Sequence, residues 1–518
     1  MRSRTTAKMW AVAVLVAALG APARADEKPA AEPARKQTPP APPKPEQAAT
    51  PHRIVIGGTP LDYTATAGTL IVRNEKDEPY ASMGYIAYVE RDVRDVATRP
   101  ITFAYNGGPG SSSIWLHMGA LGPRRVVTSD ASPTPPPPYT LLDNAYSILD
   151  RTDLVMIDPV GTGVSKAVGE AKDKDFWGVD PDIESVSRFI RQYVTDNGRW
   201  NSPKYLLGES YGTTRSAGVV DYLQTNANMA FNGVILVSVA LDLEAIFDLP
   251  GNDRTFPLFL PTYTAVSWYH KVLPDAPRER GPLLDEVRRF ALGEYASALL
   301  EGSDLTSAER TAVLDKLHRY TGLSVDYLDK ANLRVTEGEF TQELLREHHE
   351  TVGRLDARFV GPTLDVLAKE ADYDPQSAAI SAAYTAAFLD YFHDELEFRR
   401  DETYVVEADI WKKWDYRHKA PGLPFPLPTL TNTGLDLAHA LVYNPNLRVL
   451  VLNGYYDLAT PFLATEYVMS HLGLEKDLRS HVEMTYYDAG HMMYVHEPSL
   501  KKFKEDVGGF IERTSGRP

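Results

Sequence analysis

Cysteine is absent from all 518 residues. Its absence excludes disulfides, a lipid-anchored N-terminal cysteine, thiol catalysis and thiolate metal sites. Long apolar runs are missing too. Beyond the short stretch Met9–Leu19, nothing approaches the ~20 apolar residues of a membrane helix, so no transmembrane segment is expected in the mature chain. Basic side chains are the minority, 54 against 70 acidic, for a net charge of −16. Such a surface argues against a nucleic-acid partner. No His-Glu-x-x-His spacing occurs. The one metal-like run, His348-His349-Glu350, reads as a solvated face, because neighbours on a helix diverge by about 100°. Gly161-Thr162-Gly163 lacks the third glycine of a dinucleotide fingerprint. No metal and no cofactor are expected.

What is present begins with a leader. Arg2, Arg4 and Lys8 precede the apolar Met9–Leu19, and Ala23-Arg24-Ala25 follows as a small-x-small cleavage site. Residues 1–25 therefore read as a signal peptide, and the protein as exported. Export without disulfides fits a bacterial periplasm, with secretion beyond it left open. Removing the leader takes away four basic and no acidic residues, leaving a net charge of −20. Residues 26–52, rich in Pro, Ala and charge, read as a disordered tether.

From Arg53 the texture changes. Arg53–Ile56, Leu61–Thr66, Thr69–Val72 and Met83–Glu90 are short β-rich runs broken at Gly57-Gly58 and Gly68, which suggests antiparallel hairpins. Ile101–Tyr105, Leu154–Ile157, Tyr205–Leu207 and Gly233–Val237 are apolar runs of the buried parallel kind. Between Asp180 and Asn197, Ile183, Val186, Ile190 and Val194 recur at helical spacing. Strands alternating with helices mean an α/β layer structure. After Ala240 the β signal stops. Pro282–Leu300, Ser307–Tyr320, Glu339–Phe359 and Ala378–Phe398 read as helices before the β pattern returns at Arg448–Leu452 and His481–Tyr487. The expected layout is a core over 53–240 and 430–518, with a mainly helical cap inserted over 241–429.

The chemistry centres on Gly208-Glu209-Ser210-Tyr211-Gly212, which follows an apolar run and precedes a helical stretch. Gly-x-Ser-x-Gly in that setting is a nucleophile elbow, a sharp strand-to-helix turn that presents the Ser hydroxyl. Asp457 lies in the loop leaving one later strand, and His491 just after the last. Ser, Asp and His in that order supply a nucleophile, a carboxylate that fixes the imidazole tautomer, and a base.

With Asn106-Gly107-Gly108-Pro109-Gly110, Leu121-Gly122-Pro123, Asp158-Pro159-Val160-Gly161-Thr162-Gly163-Val164-Ser165 and Gly490-His491-Met492, the chain resembles the serine carboxypeptidases. The resemblance spans about residues 100–491, outside the insertion and the N-terminal hairpins. It implies an α/β-hydrolase fold, mostly parallel with antiparallel N-terminal strands, and release of C-terminal residues from peptides through an acyl-enzyme. It makes Ser210 the nucleophile, His491 the base, Asp457 its orienter, and the backbone N–H groups of Gly108 and Tyr211 the oxyanion hole.

In the family a Trp, an Asn and two Glu hold the substrate carboxylate. Here Asn106 and Glu209 remain, while Ala104 and Ala120 stand at the other two positions. One expectation is that Arg124, Arg125 or His117 supplies the missing bonds; the alternative is that they are solvated. Two other functions stay open: an esterase, acyltransferase or different exopeptidase on the same triad, and a catalytically silent binding protein. The oligomeric state is not legible.

Overall fold

The computed structural model describes residues 43–275, 279–399, 401–426 and 428–516. The signal peptide and most of the tether lie outside these residues. Residues 47–52 were expected to be tether, yet they form the first half of strand β1 (Gln47–Ile56). This strand pairs antiparallel with β2 (Thr59–Arg73) from Gln47↔Gly68 to Ile56↔Thr59. The composition of the segment is polar because β1 is an edge strand, exposed on alternate residues. Gly68 does not break β2. It lies within the ladder, where a Cβ would come within 3.0 Å of the Glu46 carbonyl oxygen.

The other strands of the central sheet are β3 (Pro79–Glu90), β4 (Ile101–Tyr105), β5 (Asp153–Ile157), β6 (Lys204–Ser210), β7 (Gly233–Val239), β8 (Arg448–Gly454) and β9 (Val482–Tyr487). Lys166–Ala167 adds a short tenth strand on β3. The order is β1-β2-β3-β5-β4-β6-β7-β8-β9, antiparallel as far as the β3–β5 pair and parallel from β5 onward. Every residue of β4, β5 and β7 is buried, as befits parallel strands covered on both faces. Successive side chains alternate between two apolar clusters. Leu206, Val234 and Leu236 face one, and Leu207, Ile235 and Val237 the other. Helices α1 (Val179–Asp196) and α2 (Tyr211–Ala227) contribute to the first. Helix α6 (Pro375–Asp390) and helix α9 (Glu497–Thr514) contribute to the second.

Between β7 and β8 the insertion is mainly helical, with α3 (Thr255–Tyr269), α4 (Arg280–Phe290), α5 (Ser307–Thr321) and α6. Helix α7 (Gly434–Tyr443) then leads back into the sheet and α8 (Phe462–Ser470) follows β8. One element departs from its sequence reading. Glu339–Phe359 was expected to be one helix, but a short helix ends at Glu343 and a hairpin follows, Glu350–Val352 against Val360–Pro362. Its loop, residues 353–359, turns toward the ends of β8 and β9. Among the described residues, no helix is long and apolar enough to cross a membrane.

Candidate active site

Strand β6 runs straight into α2 at Ser210, whose backbone sits at φ 59°, ψ −130°. This is the strained conformation of an elbow, rare for a residue with a side chain. The turn closes only because Gly208 has no Cβ; one placed there would meet the Gly212 carbonyl oxygen at 2.1 Å. Beside it, a Cβ on Gly107 would come within 2.4 Å of the Tyr211 backbone nitrogen. The glycine loop is thus pressed against the first turn of α2.

The loop after β8 carries Asp457, which is fully buried. Its Oδ1 accepts from the backbone N–H groups of Ala459 and Thr460, both at 2.9 Å. Its Oδ2 accepts from the Thr460 hydroxyl at 2.6 Å and pairs with His491 Nδ1 at 2.8 Å. With Nδ1 occupied, Nε2 is the ring nitrogen left to act as a base. Burial works against a charge on His491, but Asp457 and Glu209 outweigh it and raise the imidazole above its usual range.

Ser210 and His491 line one cavity of about 270 Å³ together with Asn106, Gly108 and Glu209. Asn106 Nδ2 donates to Glu209 Oε1 at 2.7 Å, while its own Oδ1 accepts from the Leu116 N–H at 3.0 Å. The buried Tyr494 hydroxyl also faces the Glu209 carboxyl. Burial pushes the Glu209 carboxyl up to about 7, against the opposing pull of His491, so it can carry a proton near neutrality. Behind the elbow, the buried Arg215 pairs with Asp182 at 2.8 Å and donates to the Asn106 carbonyl at 2.7 Å, which holds the glycine loop from below.

The other expected carboxylate ligands are elsewhere. His117 is buried, hydrogen-bonded to the Tyr88 hydroxyl at 2.6 Å and packed on Phe388 and Tyr391. Burial lowers its ring to about 3, so it is neutral. Arg124 is committed to Asp143 at 2.6 Å and Glu395 at 2.9 Å. Arg125 lies over the Tyr146 ring. None of the three lines the cavity. They follow the glycine loop in sequence, but the π-helical turn at residues 117–121 buries His117, and neither arginine after it lines the cavity.

Sequence reasoning missed what the insertion contributes. Arg354, Leu355, Ser377, Ile380, Ser381 and Glu407 all line the cavity. The loop from Gly353 is stitched to the catalytic loops. Leu458 N–H donates to the Arg354 carbonyl at 3.0 Å, His491 N–H to the Leu355 carbonyl at 2.6 Å, and Ala357 N–H to the Tyr456 carbonyl at 3.0 Å. A second segment crosses the glycine loop. Ser112 N–H donates to the Val406 carbonyl at 2.9 Å and Ala408 N–H to the Gly110 carbonyl at 2.8 Å. Among the described residues no cluster of His, Asp or Glu could hold a metal ion.

Residues 59–242 match the family model for serine carboxypeptidase. No curated protein matched the sequence. Among solved structures, Kex1(delta)p, a prohormone-processing carboxypeptidase from Saccharomyces cerevisiae, is similar at a TM-score of 0.54 and 15% identity, over 88% of this chain and 91% of that one. A proline iminopeptidase from Mycobacterium smegmatis is similar at a TM-score of 0.33 and 13% identity, over 90% of this chain and 99% of that one. The first of these likenesses carries the fold, which is that of the α/β-hydrolases. The elbow at Ser210 and the glycine loop beside it both fall inside the matched residues, so the part of the chain that is similar to the serine carboxypeptidases is the part that carries this strand-to-helix turn.

Proposed function

We propose that the protein is an exported carboxypeptidase that releases single C-terminal residues from peptides through a Ser210 acyl-enzyme. The observation that carries this reading is a small cavity shared by Ser210, His491 and a carboxyl, Glu209, that burial keeps largely protonated below about pH 7. A protonated carboxyl and the Asn106 amide can donate to a substrate carboxylate, where an ionised Glu would repel it. At about 270 Å³ the cavity has room for one leaving residue.

Ser210 Oγ attacks the last peptide carbonyl as His491 Nε2 takes its proton. Asp457 holds the imidazole and stabilises the imidazolium. The oxyanion forms against the N–H groups of Gly108 and Tyr211, each such donor typically contributing about 10²–10³ in rate. His491 then protonates the leaving nitrogen, the C–N bond breaks, and water activated by the same imidazole releases the peptide from Ser210.

Matched N-blocked dipeptides, one with a free C-terminus and one amidated, test this between pH 4 and 8, with Ser210→Ala as control. Preference for the free acid is expected. Cleavage of simple esters alone would make the protein an esterase on the same scaffold. Failure of a fluorophosphonate to label Ser210 would make it a silent binder. Export is tested by fractionating cells that express the full chain and sequencing the N-terminus of the exported product, which should begin at Asp26.

A further inference from the structure

A cation able to hold a substrate carboxylate is available in this cleft. If the peptidase reading holds, His491 protonates the leaving nitrogen. The carboxyl carbon of a C-terminal residue lies only about 2.5 Å from that nitrogen, across N–Cα and Cα–C. Whatever binds the carboxylate must therefore sit close to the imidazole. Two charged side chains that line the cavity also act on the titration of His491: Glu209, which raises it, and Arg354, which lowers it. Arg354 is the one arginine or lysine among the described residues lining the cavity.

Its backbone is fixed at both ends. The N–H donates to Asp374 Oδ2 at 2.6 Å, and the carbonyl accepts from Leu458, next to Asp457. Its side chain is less committed. Nε meets Glu337 Oε2 at 3.3 Å, and the side chain stays 46% exposed. Besides it and His491, the titratable groups of the cavity walls are the carboxyls of Glu209 and Glu407. A guanidinium suits a carboxylate because its planar fork gives two parallel charge-assisted bonds.

We propose that Arg354 is the carboxylate-recognition residue of this enzyme, supplying the positive charge that binds the free C-terminus while Asn106 and Glu209 supply neutral donors. The hairpin loop of the insertion thereby sets the preference for free acids. This assignment rests on the carboxypeptidase reading for its substrate, but not for its test.

Two assays separate the two ideas. In the first, kcat and KM are measured on the matched free-acid and amide dipeptides for wild type, Arg354→Gln and Arg354→Lys. Loss of a charge-assisted bond should raise KM for the free acid roughly 10–100-fold, leave the amide within about twofold, and be partly rescued by lysine. In the second, hydrolysis of a simple ester is inhibited with 3-phenylpropionate or its amide. Wild type should be inhibited by the acid far better than by the amide, and Arg354→Gln should lose that difference.

Equal losses on acid and amide in the first assay would reduce Arg354 to a structural role and overturn the proposal. Retained inhibition by the acid in Arg354→Gln would overturn it as well. If wild type cleaves no peptide but the second assay behaves as expected, the peptidase reading fails and the carboxylate site stands.

Discussion

Two side chains at the cleft titrate in opposite senses of usefulness. His491 must be neutral to act as base, and its imidazole is raised by Asp457 and Glu209 against the effect of burial. Activity toward every substrate should therefore fall on the acid side, along a limb above the usual histidine range. Glu209 must be protonated to donate to a carboxylate, and burial places it at about 7. Activity toward free acids should fall again as pH rises through about 7, while amide and ester hydrolysis does not. Profiles of kcat/KM for the three substrate types check this, and Glu209→Gln should remove the alkaline limb for the free acid alone. A free-acid profile that stays flat above pH 8 sinks the assignment. Asp457→Asn should lower kcat by about 10³–10⁴ with little change in KM, since the carboxylate fixes the tautomer.

At this scale Ser210, Asp457 and His491 stand out in the sequence because each lies at or just after the end of a strand in a recognisable phrase. The carboxylate ligands do not. Arg124, Arg125 and His117 are near the glycine loop in sequence but do not line the cavity. Which side chain reaches the cleft is instead decided by where the insertion returns, and no local pattern encodes that.

Among the elements, the hairpin loop 353–359 does more than deliver Arg354. Asp356 is fully buried and accepts from the Gly490 N–H at 3.0 Å, next to His491. It also pairs with Arg358 at 2.6 Å, whose side chain is 4% exposed. Asp356→Ala would leave a buried guanidinium with only the partly exposed Asp130, at 3.1 Å. Removing one member of a buried pair costs about 3–5 kcal/mol. Denaturant unfolding should report that loss. Arg358→Met with Asp356→Asn should recover much of it, because both charges then leave together. If the double variant is no more stable than Asp356→Ala, the loop is held by its backbone bonds alone.

The sequence reading missed this element for a physical reason. Glu339–Phe359 contains enough helix-favouring residues to suggest one helix, but the segment's hydrogen bonds go to the Asp457 and His491 loops instead. The buried parallel strands were legible because short continuous apolar runs bounded by turn residues have few other uses. The N-terminal edge strand was not, since an exposed edge looks like a linker.

Over the whole molecule, the insertion leaves the sheet after β7 and must be tied down where it returns. His418 is one such tie. Its Nδ1 meets Asp180 at 2.5 Å, in the first turn of α1, and its Nε2 meets Asp436 at 2.8 Å, in the first turn of α7. Burial opposes the imidazolium, but the two carboxylates prevail and raise it to about 9. The sign follows from linkage. An unfolded His loses its proton near 6.5, whereas the folded one keeps it to about 9. The stabilisation is complete below 6.5 and disappears as pH rises through 9, with on the order of 3 kcal/mol at stake.

The carboxyls of Asp158, raised by burial to about 6, and Glu209 act in the same direction but finish by about pH 7. A decline in Tm between pH 7 and 9 would then belong to the two buried imidazoles that are raised, His418 and His491. His418→Gln, which keeps a donor but carries no charge, should lower Tm at pH 6.5 and flatten the decline above it. A decline of unchanged slope in that variant would place the alkaline sensitivity elsewhere, in the growing self-repulsion of a chain already at −16. Added salt would weaken that repulsion and leave the buried His418 contribution nearly intact.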